Sequence, residues 1–526
     1  MSEPDSSGFL LPHNCDTGAL VRLLGGHERC SVDGAAAFTV EFFDSFDWRL
    51  HNAGLRLLRV QAVEGSVLRL KPAQGGEPKA SLVFDEAPAW PASLPPGPLR
   101  DELQGLLQMR VLLPVVKVKG KATELRLLND NQKTVVRLQL LHMHCLGSGV
   151  VEPRSLWPRV RLVPVRGYAK DLRQLTAYLG DELEWPRASA CLFEEAITAI
   201  GREAGDYSSK LNVSLQPDMI AVDAIRKILG SLLETLERNI PGTRADVDSE
   251  FLHDLRVATR RTRSALSQVK RVLPDAVVED FKQRFAWLGQ ITGPTRDLDV
   301  FLLEMPRYRA TLPAAMAGDL DAFEERLRAA QQSEQAKLRR KLGSPEMQAL
   351  LDDWHRILEA EVPPGEPGSF AELPIEPVAS ARIWGMYKKV LKAGRSITWD
   401  GPPEAMHELR KDCKKLRYLI EFFRALYPDE ELKGLIRTLK TLLDNLGEFQ
   451  DLEVQADKLK AFASDFATDG LQGLPTVMAI GALVADLLRN QQAAHARFAD
   501  CFAQFDSAKN RAIYKSLFKT RGEKLG

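Results

Sequence analysis

A charged pattern occurs twice in this 526-residue chain, 154 residues apart. His253-x2-Arg256-x3-Arg260-x2-Arg263 returns as His407-x2-Arg410-x3-Lys414-x2-Arg417, with offsets 0, 3, 7 and 10 in both copies. On a helix, at roughly 100° per residue, these positions fall within a stripe about 80° wide. The opposite side is apolar in both copies: Leu255, Thr262, Leu266 and Val269 match Leu409, Leu416, Ile420 and Phe423. Each copy therefore reads as a helix with a core to join and a cationic face to place. Chance yields one basic amphipathic helix readily. Two with identical offsets imply two similar helical halves, expected about a pseudo-twofold axis. The repeat extends downstream. Lys282, six residues before Leu288-Gly289, matches Lys440, six before Leu446-Gly447. Arg296-Asp297-Leu298-Asp299-Val300 then matches Gln450-Asp451-Leu452-Glu453-Val454, after a four-residue difference in the intervening loop.

Around the repeat the chain changes periodicity once. Up to about residue 170 the runs AFTVEFFDSFDWRL, GLRLLRVQAV, SVLRLKPA, ASLVFDEA, MRVLLPVVKVKG, ATELRLLND, TVVRLQLLHMHC and RVRLVPVRG are short, alternating or β-branched, and bounded by Gly, Pro, Asn and Asp. They predict strands of an antiparallel sheet or barrel, with a helix following at DLRQLTAYLGDELEW. From about Leu192 onward the period is helical. Asp248 or Ser249 is placed to cap the first stripe helix, and Gly401-Pro402-Pro403 precedes the second. PPGEPGSFAELPIEP, residues 363–377, connects the two helical halves. At about 150 residues per domain, this length supports two to four units. The expected fold is α+β. An N-terminal antiparallel β-barrel or tunnel-like domain spans 1–190 and a linker 191–214. An all-α domain of two pseudosymmetric four-helix bundles follows at 215–520, with halves at about 215–362 and 378–520.

Lys plus Arg and Asp plus Glu are each 71, so the formal net charge is zero and any anion site must come from local segregation of charge. Six cysteines are scattered without CxxC spacing, which gives neither a cysteine-rich zinc module nor a disulfide framework. The opening residues MSEPDSSGFLLPHNCD carry no basic patch before a long apolar run, so no secretory leader is read there. Leu474 to Leu488 is apolar but short and contains Asp486, and reads as a buried helix rather than a membrane span. A cytoplasmic protein is the expectation. No GxxxxGK[ST], GxSxG or HExxH occurs. His142-Met143-His144 puts two imidazoles on one strand face, read as incidental because no third ligand stands nearby.

Like charges spaced three or four apart on a helix each cost about 0.2–0.5 kcal/mol, and a solvated face normally interleaves acids. Here the stripe positions hold none. Such a row is favourable only opposite an anion, either the protein's own carboxylates or a ligand. A polyphosphate chain is a natural candidate, since a regular string of phosphoryl oxygens satisfies arginine forks along a groove. Affinity would then be firm and salt-sensitive through counterion release. A histidine at the end of the stripe is pushed toward neutrality and charges when phosphate arrives.

HDLRVATRRTRSAL, HELRKDCKKLRYLIEFF, the Leu-Gly elements and the RDLDV/QDLEV motifs resemble a CHAD domain, the conserved-histidine α-helical domain, over about residues 215–520. The resemblance implies two pseudosymmetric four-helix bundles with a basic groove between them that binds inorganic polyphosphate. It implies that His253, Arg256, Arg260, Arg263, His407, Arg410, Lys414 and Arg417 line the groove, joined by Lys282 and Lys440. Spacing alone adds Lys388, Lys392 and Arg395, at offsets 0, 4 and 7. Asp297, Asp299, Asp451 and Glu453 read as helix caps or partners of groove arginines in preference to metal ligands.

The first domain resembles, more faintly, a CYTH or triphosphate-tunnel domain at Phe42–Leu50, Ala53–Arg59 and Arg161–Val163. That family's opening ExExK strand is absent, and Arg161 and Val163 stand where acids are expected. Arg56, Arg59, Lys117 and Lys119 are left to line a tunnel, and Glu41 and Glu124 are the acids that would have to converge for hydrolysis. The reading is a non-enzymatic polyphosphate-binding protein at polyphosphate granules, open to other polyanions and without a cofactor. The alternative is a triphosphatase in the first domain, for which alone Mg or Mn is required. Phosphorylation of a stripe histidine and nucleic-acid binding are further readings. The shortage of aromatics beside the stripe argues against nucleic acid.

Overall fold

The alternating runs of the first third pair into one antiparallel sheet. The computed structural model describes residues 8–12, 15–25, 29–63, 65–147, 152–188, 191–360, 368–398, 400–468 and 470–522. Part of the opening stretch read as leader-free, and residues 363–367 of the expected connection, lie outside them. Among the described residues nine strands form the sheet: β1 (Gly8–Leu10), β2 (Cys30–Asp44), β3 (Leu55–Ala62), β4 (Gly65–Pro72), β5 (Ala80–Val83), β6 (Leu113–Leu128), β7 (Thr134–Gly147), β8 (Arg154–Ser155) and β9 (Arg159–Pro164). The order is β1-β9-β7-β6-β2-β3-β4-β5, with β8 on β7. Within the described residues this is an open path with β1 and β5 at its ends, where a barrel would join them.

The period of two sorts the side chains. One face buries Phe38, Val40, Phe42, Val118, Leu141 and Met143 against Leu192, Phe193, Ala196 and Ile197 of the helix Leu192–Ala199. The other face has two apolar ends. Phe43, Leu57 and Leu68 pack on Leu99 and Leu103 of one helix, while Leu138, Leu140 and Val160 cluster with Leu20 and Val21 of another. MRVLLPVVKVKG and ATELRLLND, expected as two strands, are one: β6 runs through Gly120. Glycine is required there, since a Cβ would stand 2.4 Å from Phe38 Cζ.

Trp48 is buried in the left-handed region at φ 61°. Its Nε1 donates to Asp206 Oδ1 at 2.8 Å, and the Arg202 guanidinium lies over its ring. These contacts and the helix Leu192–Ala199 hold residues 191–208 on the β unit, and the chain divides between Ser208 and Ser209. The segment 191–214, expected as a linker, is thus mostly packed structure.

In the second unit each half is four rods. The first half has Ala221–Ala245, Ser249–Gln268, a third rod broken into Asp275–Ile291 and Gly293–Thr311, and a fourth broken into Asp321–Leu342 and Pro345–Glu359. The second half has Ile375–Arg395, Pro403–Phe422, Asp429–Ala467 and Leu474–Phe505, followed by the short helix Ala508–Tyr514. Asp248 caps the first stripe helix by accepting from Glu250 N at 3.0 Å and Phe251 N at 3.2 Å. Pro403 opens the second, where its missing N–H costs nothing. Every residue expected on the apolar sides of the two stripe helices is buried.

The halves do not keep separate cores. Leu255 and Leu266 share one cluster with Leu409, Leu416 and Ile420. The far ends of the third and fourth rods share another, in which Phe301, Tyr308 and Phe323 meet Leu452, Leu459 and Ile480. The described part of the connection also packs on the first half: Phe370 N donates to Arg271 O at 2.7 Å, and Ala221 N to Leu373 O at 2.8 Å. Among the described residues no helix is long and apolar enough to cross a membrane.

Candidate functional site: a cleft between the repeated helices

The two stripe helices, Ser249–Gln268 and Pro403–Phe422, pack against each other and bring their charged sides to one cleft of about 530 Å³. Of the residues expected at the site, His253, Arg260, Arg410, Lys414 and Arg417 line it. Lys210, Arg261 and Tyr418 add to the wall, and the long helix Asp429–Ala467 contributes Leu443, Asp444, Gly447, Glu448 and Asp451. The lining holds six lysines and arginines against four carboxylates, the fourth being Asp254. Segregation of charge is therefore local, as a chain of zero net charge requires.

Some of these cations are already matched. Arg410 Nη2 donates to Asp451 Oδ1 at 3.0 Å and Oδ2 at 3.1 Å, the arginine–acid pairing expected for the repeated Asp. Glu421 is shared: Arg417 Nε reaches it at 2.7 Å, and Arg261 Nη2 crosses from the other stripe helix at 3.0 Å. Arg260 and Lys414 make no ion pair among the described residues. Arg410 Nε and Arg261 Nε are buried without a hydrogen-bond partner. Lys414 is crowded: burial first, then the positive charges of Arg410, Arg260 and Arg417, push its ammonium down to about 8, against the opposing pull of Asp451. That interaction across the helix pair places the two stripes in one electrostatic environment.

The other expected residues are elsewhere or otherwise engaged. Arg256 Nη1 donates to Gly289 O at 3.1 Å and Thr292 Oγ1 at 2.9 Å, where the third rod breaks before Gly293-Pro294. It thus satisfies a last-turn carbonyl. Its counterpart Arg410 faces an unbroken helix and is left to Asp451. Arg263 is exposed beside Gly289. His253 Nδ1 lies 3.2 Å from Arg296 Nη2, and His407 Nδ1 donates to Gln450 Oε1. Arg296 and Gln450 are themselves repeat partners. Burial and then the Arg296 charge lower the His253 imidazole below its ordinary value.

These contacts also correct the register of the repeat. A Cβ on Gly293 would stand 3.8 Å from Arg256 Nη1, and one on Gly447 would stand 3.5 Å from Arg410 Nη2. Gly293, rather than Gly289, is the equivalent of Gly447, and the spacing of 154 residues then holds throughout. No four-residue difference remains, and Lys282 and Lys440 are not equivalent positions. Neither lines the cleft: Lys282 lies 3.8 Å from Glu279, and Lys440 is exposed. Lys388 sits 6.0 Å from the Trp384 ring, Arg395 pairs with Asp506 at 2.7 Å, and Lys392 is exposed. None of these three lines the cleft. Asp297 pairs with Lys458, and Asp299 accepts from Gln331 at 3.1 Å. The sequence reading missed Arg261 and Glu421. Arg261 lies off the stripe and has Lys415 as its repeat counterpart, which pairs with Asp412 instead, so the repeat gave no signal for it.

In the β unit three of the four expected tunnel cations, Arg56, Arg59 and Lys117, meet protein carboxylates. Arg59 and Lys117 both bind Glu41, and Arg56 reaches Glu194 at 2.7 Å. Burial would raise the Glu41 carboxyl, but hydrogen bonds from Lys117 and Arg59 hold it below its usual range. Glu124 accepts from Gln139 at 3.0 Å. Glu41 lies opposite Lys117 on the ladder, seven residues from Glu124, which at about 3.4 Å per residue is roughly 24 Å. His142 and His144 stand opposite Lys121 and Lys119. Among the described residues no three His, Cys, Asp or Glu side chains come together as a metal site.

None of the curated proteins compared matches the chain. Among solved structures, it is similar to the CHAD domain from the plant Ricinus communis, with 25% identity and a TM-score of 0.45 over 59% of this chain and 96% of that one. It is also similar to PptA from Streptomyces chartreusis, with 18% identity and a TM-score of 0.42 over 53% of this chain and 98% of that one. Residues 227–460, which lie in the helical unit, match the family model of the CHAD domain.

Proposed function

We propose that the cleft binds inorganic polyphosphate without turning it over, and that this binding recruits the protein to polyphosphate bodies inside the cell. One observation carries the reading. Two helices from the two halves of a repeat direct Arg260, Arg410, Lys414 and Arg417 into a single cleft, where Arg260 and Lys414 have no ion-pair partner among the described residues. Repulsion on this scale is relieved by an anion with several charged oxygens in series. A chain of phosphoryl groups supplies them at short, regular spacing. The partial match by Asp451 and Glu421 fits the same reading, since a carboxylate holds an arginine in place until a stronger acceptor arrives.

The test is a titration of the full chain with polyphosphates of graded length at several salt concentrations. Replacing Arg260, Arg410, Lys414 and Arg417 together by Gln is expected to weaken binding at least about a hundredfold. By analogy with single-stranded nucleic acid, it should also flatten the slope of log affinity against log salt by about three. A variant that binds as tightly as the parent, with an unchanged slope, removes the proposal. Single-stranded DNA of matched charge should compete poorly, because few aromatic rings stand beside the cleft to stack on bases.

A further inference from the structure

Lys414 occupies a crowded position in the cleft. Arg410 and Arg417 flank it on its own helix, four residues before and three after, and Arg260 faces it from the other stripe helix. The first stripe helix also brings His253 and Asp254 to the wall, and the long helix brings Asp451, Asp444 and Glu448. Two of these acids have other claims on them. Asp451 is taken by Arg410, and Glu448 by Arg497 at 2.8 Å. Glu421, on the same helix as Lys414, is taken by Arg417 and Arg261. Lys414 is half-buried among three guanidinium groups and makes no ion pair among the described residues. Arginine keeps its proton in such company, so the amine is the group that can shed charge.

We propose that polyphosphate binding is coupled to uptake of a proton by the Lys414 amine, so that the cleft holds its ligand at neutral pH and releases it under mildly alkaline conditions. The inference rests on the polyphosphate reading and adds its regulation. A phosphoryl oxygen beside the amine replaces repulsion by attraction and favours the ammonium form. By linkage, a ligand that favours the protonated amine binds more weakly once that proton has left. With the ammonium of the free cleft already pushed down to about 8, about half a proton should be taken up per cleft filled at pH 8. Affinity should then fall about tenfold between pH 7 and pH 9. In the free cleft His253 is neutral across this window. Burial and Arg296 lower it, so it gains its proton on the acid side of neutrality.

The experiment is calorimetric titration of the full chain with long-chain polyphosphate at pH 7 to 9.5, in buffers of different ionisation enthalpy. Lys414→Arg and Lys414→Met are measured beside the parent. The expected result is proton uptake and loss of affinity with rising pH in the parent. Lys414→Arg, which keeps the charge without titrating, should bind with a flat profile. Lys414→Met should bind more weakly, also with a flat profile. A flat parent, or a slope that persists in Lys414→Arg, overturns the inference while leaving the polyphosphate reading intact. Failure of the parent to bind at any pH overturns both.

Discussion

His253 and His407 hold the same place in the two copies of the repeat, yet their partners oblige them to different roles. An arginine can only donate, so the Arg296 contact requires a lone pair on His253 Nδ1 and leaves the other ring nitrogen carrying the proton. Gln450 accepts from His407, which requires a proton on that Nδ1. Replacing Arg296 by Gln would give the first copy the chemistry of the second. His253 should then titrate at higher pH, as NMR of its ring protons would show, with burial and the Arg260 charge remaining to lower it. The sign for stability follows. With its native value below the ordinary one of about 6.5, the unfolded chain takes up the proton first, and stability falls as pH drops below that value. A parent that loses no more stability than Arg296→Gln between pH 7 and 5 would contradict this assignment. The alignment of Arg296 with Gln450 was visible in the sequence. Its consequence needed the distance to each imidazole.

At the scale of elements, the third rod explains why two matching stripes are put to different uses. In the first half it breaks before Gly293-Pro294, because proline has no N–H to continue the ladder, and Arg256 turns to the carbonyl at the break. In the second half Asp429–Ala467 is continuous and Arg410 remains in the cleft. Thr292→Val should remove one hydrogen bond of Arg256 and cost about 1 kcal/mol in urea unfolding. A close approach sets the first stripe helix in place. A Cβ on Gly242 would stand 2.3 Å from Phe251 Cδ1, so Gly242→Ala should destabilise by about 1–3 kcal/mol in the same measurement. An unchanged urea midpoint would mean that the aromatic ring moves aside freely. The proline, the caps and the apolar faces of these helices were legible because they obey local rules. The correct register of the downstream repeat was not, since Leu288-Gly289 is the better match by residue type. Only the contact of each glycine with its arginine shows that Gly293 is the equivalent position.

For the whole molecule, zero net charge means that long-range attraction contributes little, and affinity for a polyanion has to come from the cleft. The chain divides into a β unit and a helical unit, each with its own apolar clusters. Polyphosphate at about one hundred times its dissociation constant should stabilise the unit that holds the cleft by about 2.7 kcal/mol. In scanning calorimetry the transition of the helical unit should move up while that of the β unit stays in place. Movement of the β transition alone would locate the binding site among the cations of the sheet. That outcome is disfavoured by Glu41 and Glu194, which already match Arg59, Lys117 and Arg56.

By itself, the sequence determined the antiparallel sheet, the helical second unit, the repeat and the sidedness of its two stripe helices. Periodicity and local backbone chemistry are carried by neighbours in the chain, so one string of residues suffices to read them. Tertiary structure alone decided which cations share a cleft and which are spent elsewhere. Lys388, Lys392, Arg395, Lys282 and Lys440 have the same residue types as Arg260 and Lys414, and they differ only in what packs beside them. The strength of an electrostatic interaction depends on distance and burial between groups far apart in sequence, and those quantities exist only once the chain has folded.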